Sequence, residues 1–313
     1  VTTLEGPAHV EQVDRRPVLG YGLYLLAATL FALNGTVSKV ILEHGIPWYR
    51  LSELRVTLAF LLLLVWVTLT NRAALRVRRS EILPIILYGT LGIAMTQSLY
   101  LVALQRMPIG IALLIEFTAP IMVALWFKFV LKEPVRNRVF GALVLAMVGL
   151  GMVAQVWSGL TLDAIGVMAG FVAAVALAFY FLQGERLVAA RDPISLVMYG
   201  FMAAAFMWAI VCPWWSFPWD QLSFSAAFGG DGPLLPAWTY VGYMVVFGTV
   251  IPFALVLMSM THIRASQASV VGMTEPVIAS AIAWVVLGEV LTPVQVIGGV
   301  VVLIGIVLAE TAR

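Results

Sequence analysis

One cysteine and three histidines are all the thiol and imidazole that 313 residues offer. A lone Cys212 excludes an internal disulfide and a thiolate metal cluster. His9, His44 and His262 are too far apart for a ligand spacing, and each reads as a solvated or interfacial histidine. Charge is also scarce: 11% of residues are charged, against about 25% in soluble domains. The net charge is only +2, so it implies no nucleic-acid partner. There is no Ser/His/Asp set, no HExxH and no Walker motif, and no glycine follows a strand. No metal, cofactor or nucleotide is therefore expected. The polar–apolar alternation of a membrane barrel is missing too.

What remains is apolar, at 62% hydrophobic residues, and the chain reads as an integral membrane protein. A helix crossing the hydrocarbon core needs about 20 apolar residues. By that measure there are ten spans, at 17–42, 48–70, 82–104, 108–131, 138–157, 163–187, 194–214, 236–260, 265–288 and 293–310. Arg15 and Arg16 precede the first run as a signal n-region would. The run continues to about Ile41, too long for a signal segment, and reads as a first span. Residues 1–16 read as a polar cytoplasmic tail.

The chain repeats itself. Residues 100–153, moved forward by 156 positions without a gap, fall on 256–309. Thr118 meets Thr274, Pro120 meets Pro276, Glu133 meets Glu289 and Gly149 meets Gly305. The first two spans of each half match more weakly at an offset of 146, with Ala32 on Ala178 and Pro47 on Pro193. Five spans is an odd number, so the second half enters the membrane from the other side. The expected fold is all-α: ten transmembrane helices in two inverted five-helix repeats, 17–157 and 163–310, forming one transport domain. With the N-terminus inside, the inner segments hold fourteen Lys and Arg, from Arg15 and Arg16 through the 72–79, 128–138 and 186–191 clusters to Arg264 and Arg313. The outer side keeps Lys39, Arg50, Arg55 and Arg106, so both termini are expected in the cytoplasm. The long 215–235 connection lacks Lys and Arg. It reads as an outer loop with an interfacial segment anchored by Trp214, Trp215 and Trp219, or as a substrate lid.

Intramembrane acids are costly and mark function. Glu116 lies in span 4 and Glu275 in span 9, one helical turn apart in the repeat frame, and each just precedes a proline, Pro120 or Pro276, expected to kink its helix. Each acid either meets a substrate ammonium or a proton, or, protonated, repairs the backbone hydrogen bonds lost at the proline. Lys39, Glu43 and Arg55 read either as an interface-satisfied set or as a gate or substrate-carboxylate contact. Asn34, Gln97, Tyr180 and Gln183 are polar positions that face other helices or a cavity. Tyr88, Tyr100, Tyr243 and Phe247 either pack or hold a flat apolar substrate. Gly166 and Gly170 form a GxxxG, and Gly141, Gly149, Gly298 and Gly305 are expected to pack spans 5 and 10.

These stretches are recognisable. YLVALQRMP, FTAPIMVALWFKFVLKEP and GALVLAMVG in the first half, and MTEPVIASAIAWVVLGE and IGGVVVLIGIVL in the second, resemble the ten-span EamA group of the drug/metabolite transporter superfamily. LNGTVSK resembles its first span and ELRVTLAF its second. Phe31 stands where the family often has Trp, and Lys132 where it often has Gly. The resemblance implies a basket of helices around a central cavity, with spans 5 and 10 at the back and spans 1, 3, 4, 6, 8 and 9 lining it. It supplies no substrate motif that transfers residue by residue. Within the superfamily the general likeness is to exporters of aromatic amino acids. The expected function is export of aromatic and other apolar amino acids and related metabolites across a bacterial inner membrane by alternating access. The expected partners are a small-molecule substrate and the lipid bilayer. The alternatives are a multidrug, nucleobase or sugar-derivative carrier, and, more remotely, an intramembrane enzyme, for which no converging catalytic set is visible.

Overall fold

The structure, a computed structural model, describes residues 16–157, 163–227, 233–287 and 290–312. Residues 1–15 of the expected tail, with His9 and Arg15, and also Glu289 and Arg313, lie outside the described residues. Among the described residues, eight helices are long and apolar enough to cross a membrane: Pro17–Glu43 (span 1), Trp48–Thr70 (span 2), Arg79–Arg106 (span 3), Ile109–Val130 (span 4), Ala164–Val188 (span 6), Pro193–Val211 (span 7), Ala237–Met260 (span 8) and Pro293–Thr311 (span 10). Span 5, Asn137–Val153, is shorter. Span 9 is built from two pieces, Ala265–Gly272 and Glu275–Leu287.

Local chemistry sets the ends. Proline opens spans 1, 7 and 10, where its missing N–H would be unpaired anyway. Asp163 caps span 6 through the Gly166 N–H at 2.8 Å, and Asp192 caps span 7 through the Ser195 N–H at 2.8 Å. Lys132 has φ of 54°, the left-handed region that glycine enters without penalty, which accounts for the glycine usual there in the family it resembles.

Packing follows the inverted repeat. Span 1 packs on span 8 as span 6 packs on span 3, and span 9 meets span 1 as span 4 meets span 6. Spans 2 and 7 pair with each other, as do spans 5 and 10. The last pair touches backbone to backbone. A Cβ on Gly149 would lie 2.7 Å from the Val302 nitrogen, and one on Gly305 2.8 Å from the Ala146 nitrogen. Gly141 differs from expectation, having open space where its side chain would be. Arginine clamps repeat the symmetry at opposite ends. Arg50, at the start of span 2, donates to the Pro213 and Ser216 carbonyls after span 7. Arg191, just before span 7, donates to the Ala74 and Arg76 carbonyls after span 2.

The connection after span 7 departs from the purely helical expectation. Ser225–Ala227 pairs antiparallel with Leu234–Pro236, and the Tyr240 hydroxyl donates to the Ala226 carbonyl at 2.9 Å. Trp214, Phe217, Trp219 and Trp238 form a run of ring contacts beside this ribbon, with Trp215 89% exposed.

Candidate functional site

Two broken helices and two widened turns shape the middle of the bundle. Span 4 breaks at Phe117–Thr118 and span 9 at Met273–Thr274, equivalent places in the repeat. The Thr118 hydroxyl donates to the Ile115 carbonyl, and the Thr274 hydroxyl to the Val271 carbonyl, both at 2.7 Å. The helices then restart with Pro120 and Pro276 in their first turns. The prolines therefore follow breaks and do not kink continuous helices. Two threonines partner carbonyls at the breaks, and Glu116 and Glu275 instead flank the breaks and line a cavity.

Spans 3 and 8 each contain π-helical turns, Tyr88–Ala94 and Val246–Val250, which place Gly92 and Gly248 at equivalent positions. Such wide turns leave carbonyls to be satisfied from outside and mark functional sites. At span 8, Arg55 of span 2 donates from Nη2 to the Gly248 carbonyl at 2.9 Å and from Nε to Thr249 Oγ1 at 2.6 Å. Asn34 of span 1 sits directly on Gly248, where any side chain would overlap its carboxamide. At span 3 the partner is Tyr180, whose Cα would lie 3.4 Å from a Cβ on Gly92. Asn34 and Tyr180 match at the 146-residue offset, so one wall is polar and its counterpart aromatic.

The cavity at the middle of the bundle is narrow, about 90 Å3, below the roughly 300–1,000 Å3 of most small-molecule sites. Of the sequence candidates, Asn34, Gln97, Tyr100, Glu116, Tyr180 and Glu275 line it together. Arg55, read from sequence as an interface-satisfied residue or as a gate or substrate-carboxylate contact, lines it as well and is 4% exposed. Tyr88 does not line it. That ring is fully buried behind Tyr180, with centroids 5.3 Å apart. Tyr243 and Phe247 stack on each other at 5.5 Å away from the cavity, with Phe247 45% exposed on the outer surface. Gln183 lines neither this cavity nor the next. The sequence reading missed Thr96, Phe31 and Phe253 on the cavity wall. Matching Gly92 to Gly248 at the repeat offset would have pointed to the wide turn just before Thr96.

A larger hollow shares Phe31, Gly35, Tyr100 and Glu275 with the cavity and continues to Lys39, Leu291 and Gln295, away from the chain ends. Lys39 Nζ and Glu43 Oε1 stand 3.9 Å apart at that mouth, both exposed. At the end carrying residues 16 and 312, a separate hollow near Glu133, Arg264 and Gln267 shares no lining residue with the cavity. There Arg264 holds Glu133 bidentately and approaches Glu185 at 3.6 Å, while Tyr21, Gln267 and Glu310 hydrogen-bond together. Among the described residues, no three His, Cys, Asp or Glu side chains group as a metal site.

Known proteins match this arrangement. The model of the EamA-like transporter family matches residues 18–155 and again 164–311. The threonine/homoserine exporter RhtA of Escherichia coli (strain K12) is 27% identical over 227 residues, 71% of this chain and 69% of the relative. The uncharacterized transporter YwfM of Bacillus subtilis (strain 168) is 25% identical over 300 residues, 93% of this chain and 94% of its own. The uncharacterized inner membrane transporter YicL of Salmonella typhimurium (strain LT2) is 22% identical over 289 residues, 91% and 92% of the two chains. One crystal structure superposes with a TM-score of 0.72 over 94% of this chain and 96% of its own at 18% identity, a likeness of fold alone. With both halves matched, the chain is a multi-pass membrane protein of the EamA-like transporter family.

Proposed function

We propose that the chain exports amino acids across a bacterial inner membrane by alternating access, with both termini in the cytoplasm. The observation that carries this reading is a basic group and two acids on the wall of one buried cavity: Arg55 with Glu116 and Glu275. Buried ionisable groups in a membrane are costly and seldom kept without use. A zwitterion answers both signs, its carboxylate meeting Arg55 and its ammonium meeting Glu116 or Glu275, either of which is also placed to carry a proton. The name of the Escherichia coli relative, a threonine/homoserine exporter, supports this class of substrate. The orientation is supported by the fourteen Lys and Arg assigned to one side. In that orientation the hollow running to Lys39 faces outward.

Counterflow in proteoliposomes tests the reading, with labelled amino acids against a labelled nucleobase, with and without a pH gradient. Amino acid exchange is expected. Nucleobase exchange without amino acid exchange would transfer the chain to the alternative carrier class. For topology, a cysteine replacing Ser223 in a Cys212→Ala background is expected to react with an impermeant thiol reagent from outside, and a tag at either terminus only from inside.

A further inference from the structure

The rings and the polar groups of the cavity differ in how far the protein itself satisfies them. The rings contact one another: Phe31 meets Phe253 edge-on at 5.2 Å, and Tyr180 meets Phe253 and Phe181, each at 5.6 Å. Their ring faces form a finished apolar cluster more than an open stacking platform, while the Tyr180 hydroxyl has no hydrogen-bond partner.

Three neutral polar side chains are in the opposite state. Thr96 and Gln97, adjacent on span 3, are 8% and 4% exposed, and Asn34 on span 1 is 4% exposed. All three line the cavity. Thr96 Oγ1, both polar atoms of the Gln97 carboxamide and Asn34 Oδ1 have no hydrogen-bond partner in the protein. A buried polar atom without a partner is costly, and more so at the depth of a bilayer. Asn34 is held in place by its seat on Gly248, where no side chain intervenes. These groups are uncharged, so they add nothing to the pairing of a zwitterion with Arg55, Glu116 and Glu275. What they complement is one small group that both donates and accepts. Thr96 and Gln97 can each do both, and Asn34 Oδ1 accepts.

We infer that Thr96, Gln97 and Asn34 form a side-chain subsite that selects amino acids carrying a side-chain hydroxyl over isosteres that lack it. The inference rests on the amino acid reading of the cavity and replaces the aromatic preference expected from sequence. Its physical basis is asymmetric. A hydroxyl completes the hydrogen bonds of the subsite, whereas a methyl in its place leaves them buried and unpaired. Sites built to hydrogen-bond a substrate hydroxyl reject the analogue without it by as much as roughly 10⁴–10⁵-fold, and about tenfold or more is expected here.

The experiment is counterflow of threonine against valine and of homoserine against norvaline, pairs that differ by a hydroxyl for a methyl. In the parent protein the hydroxyl member is expected to exchange at least about tenfold better in both pairs. In Thr96→Val and in Gln97→Leu the ratio is expected to collapse toward one, and Thr96→Ser, which keeps the hydroxyl, should restore most of it. A parent ratio near one in both pairs overturns the inference even if every variant folds poorly, and leaves amino acid transport standing. A parent preference that persists undiminished in folded Thr96→Val and Gln97→Leu overturns the assignment to these residues. If no amino acid exchanges at all while the nucleobase does, the transport reading fails and this inference falls with it.

Discussion

Arg264 grips Glu133 with both arms of its guanidinium, Nη1 to Oε2 at 2.7 Å and Nη2 to Oε1 at 2.8 Å, joining the second half of the chain to the first. The guanidinium also lies over the Phe127 ring, 4.8 Å from its centroid. This contact lies at the end of the bundle that carries the termini, opposite the hollow that leads to Lys39. Access from that end is expected to need the pair to part. The hydrogen bonds and the charge of Arg264 hold the Glu133 carboxyl below the usual carboxylate range. A depressed value means the contribution is complete above the ordinary range, near pH 4.3, and is lost as the pH falls through the lower folded value. Glu133→Gln is expected to speed labelling of a Val270→Cys reporter from the terminal side by roughly two- to tenfold, since a half-exposed pair contributes modestly. Acid should have the same effect on the parent and little on Glu133→Gln. Equal labelling in parent and variant would show that the pair does not hold the closed end.

The acids and the threonines at the helix breaks should separate cleanly. The Thr118 and Thr274 hydroxyls partner the Ile115 and Val271 carbonyls, whereas Pro120 and Pro276 free those of Glu116 and Gly272. Glu116→Gln and Glu275→Gln should each reduce counterflow by about tenfold or more, or remove its pH dependence, with thermal stability nearly unchanged. Thr118→Val and Thr274→Val should instead lower stability by about 1 kcal/mol each. Parental transport at every pH in both Gln variants would remove the acids from the site.

Spans 5 and 10 offer a packing test with an internal control. A Cβ on Gly298 would lie 2.8 Å from the Gly149 carbonyl oxygen, and one on Gly149 2.7 Å from the Val302 nitrogen. Neither backbone can yield as a side chain could, so Gly149→Val or Gly298→Val should cost about 1–3 kcal/mol, seen as a lower Tm in detergent. Gly141→Ala meets nothing within 4 Å and should leave Tm equal or raise it.

The rings give a fourth comparison, in competition by phenylalanine and by threonine. Tyr243→Ala should change neither by more than about twofold, because that ring stacks on Phe247 away from the cavity. Phe253→Ala removes a ring that holds Phe31, Tyr180 and Phe201 in edge contacts, and should weaken transport of both substrates together. A selective loss for phenylalanine at Tyr243→Ala would mean that this ring reaches substrate in another state of the cycle.

Much of the fold was legible in particular residues. The matched prolines, threonines and acids of the two halves located the breaks in spans 4 and 9, although a break read from sequence alone looked like a proline kink. The apolar runs located the crossings, and six of the ten cavity candidates do face one space. Arg55 was legible as an intramembrane charge, but its distance in sequence from Gly248 and Thr249 hid its partners.

The sequence by itself determined what is local. Hydrocarbon length demands apolar runs, backbone chemistry assigns proline and aspartate to helix starts, and an odd number of spans per repeat inverts the second half. The tertiary structure alone decided which side of each helix looks inward. In a soluble protein the polar face would announce itself, but in a bilayer the lipid-facing side is as apolar as the packed side, so periodicity is silent. That is why Tyr243 and Phe247 could be mistaken for cavity rings, and why Thr96 and Phe253, one turn of a helix from anonymity, could not be found until spans 1, 3 and 8 were packed around the same space.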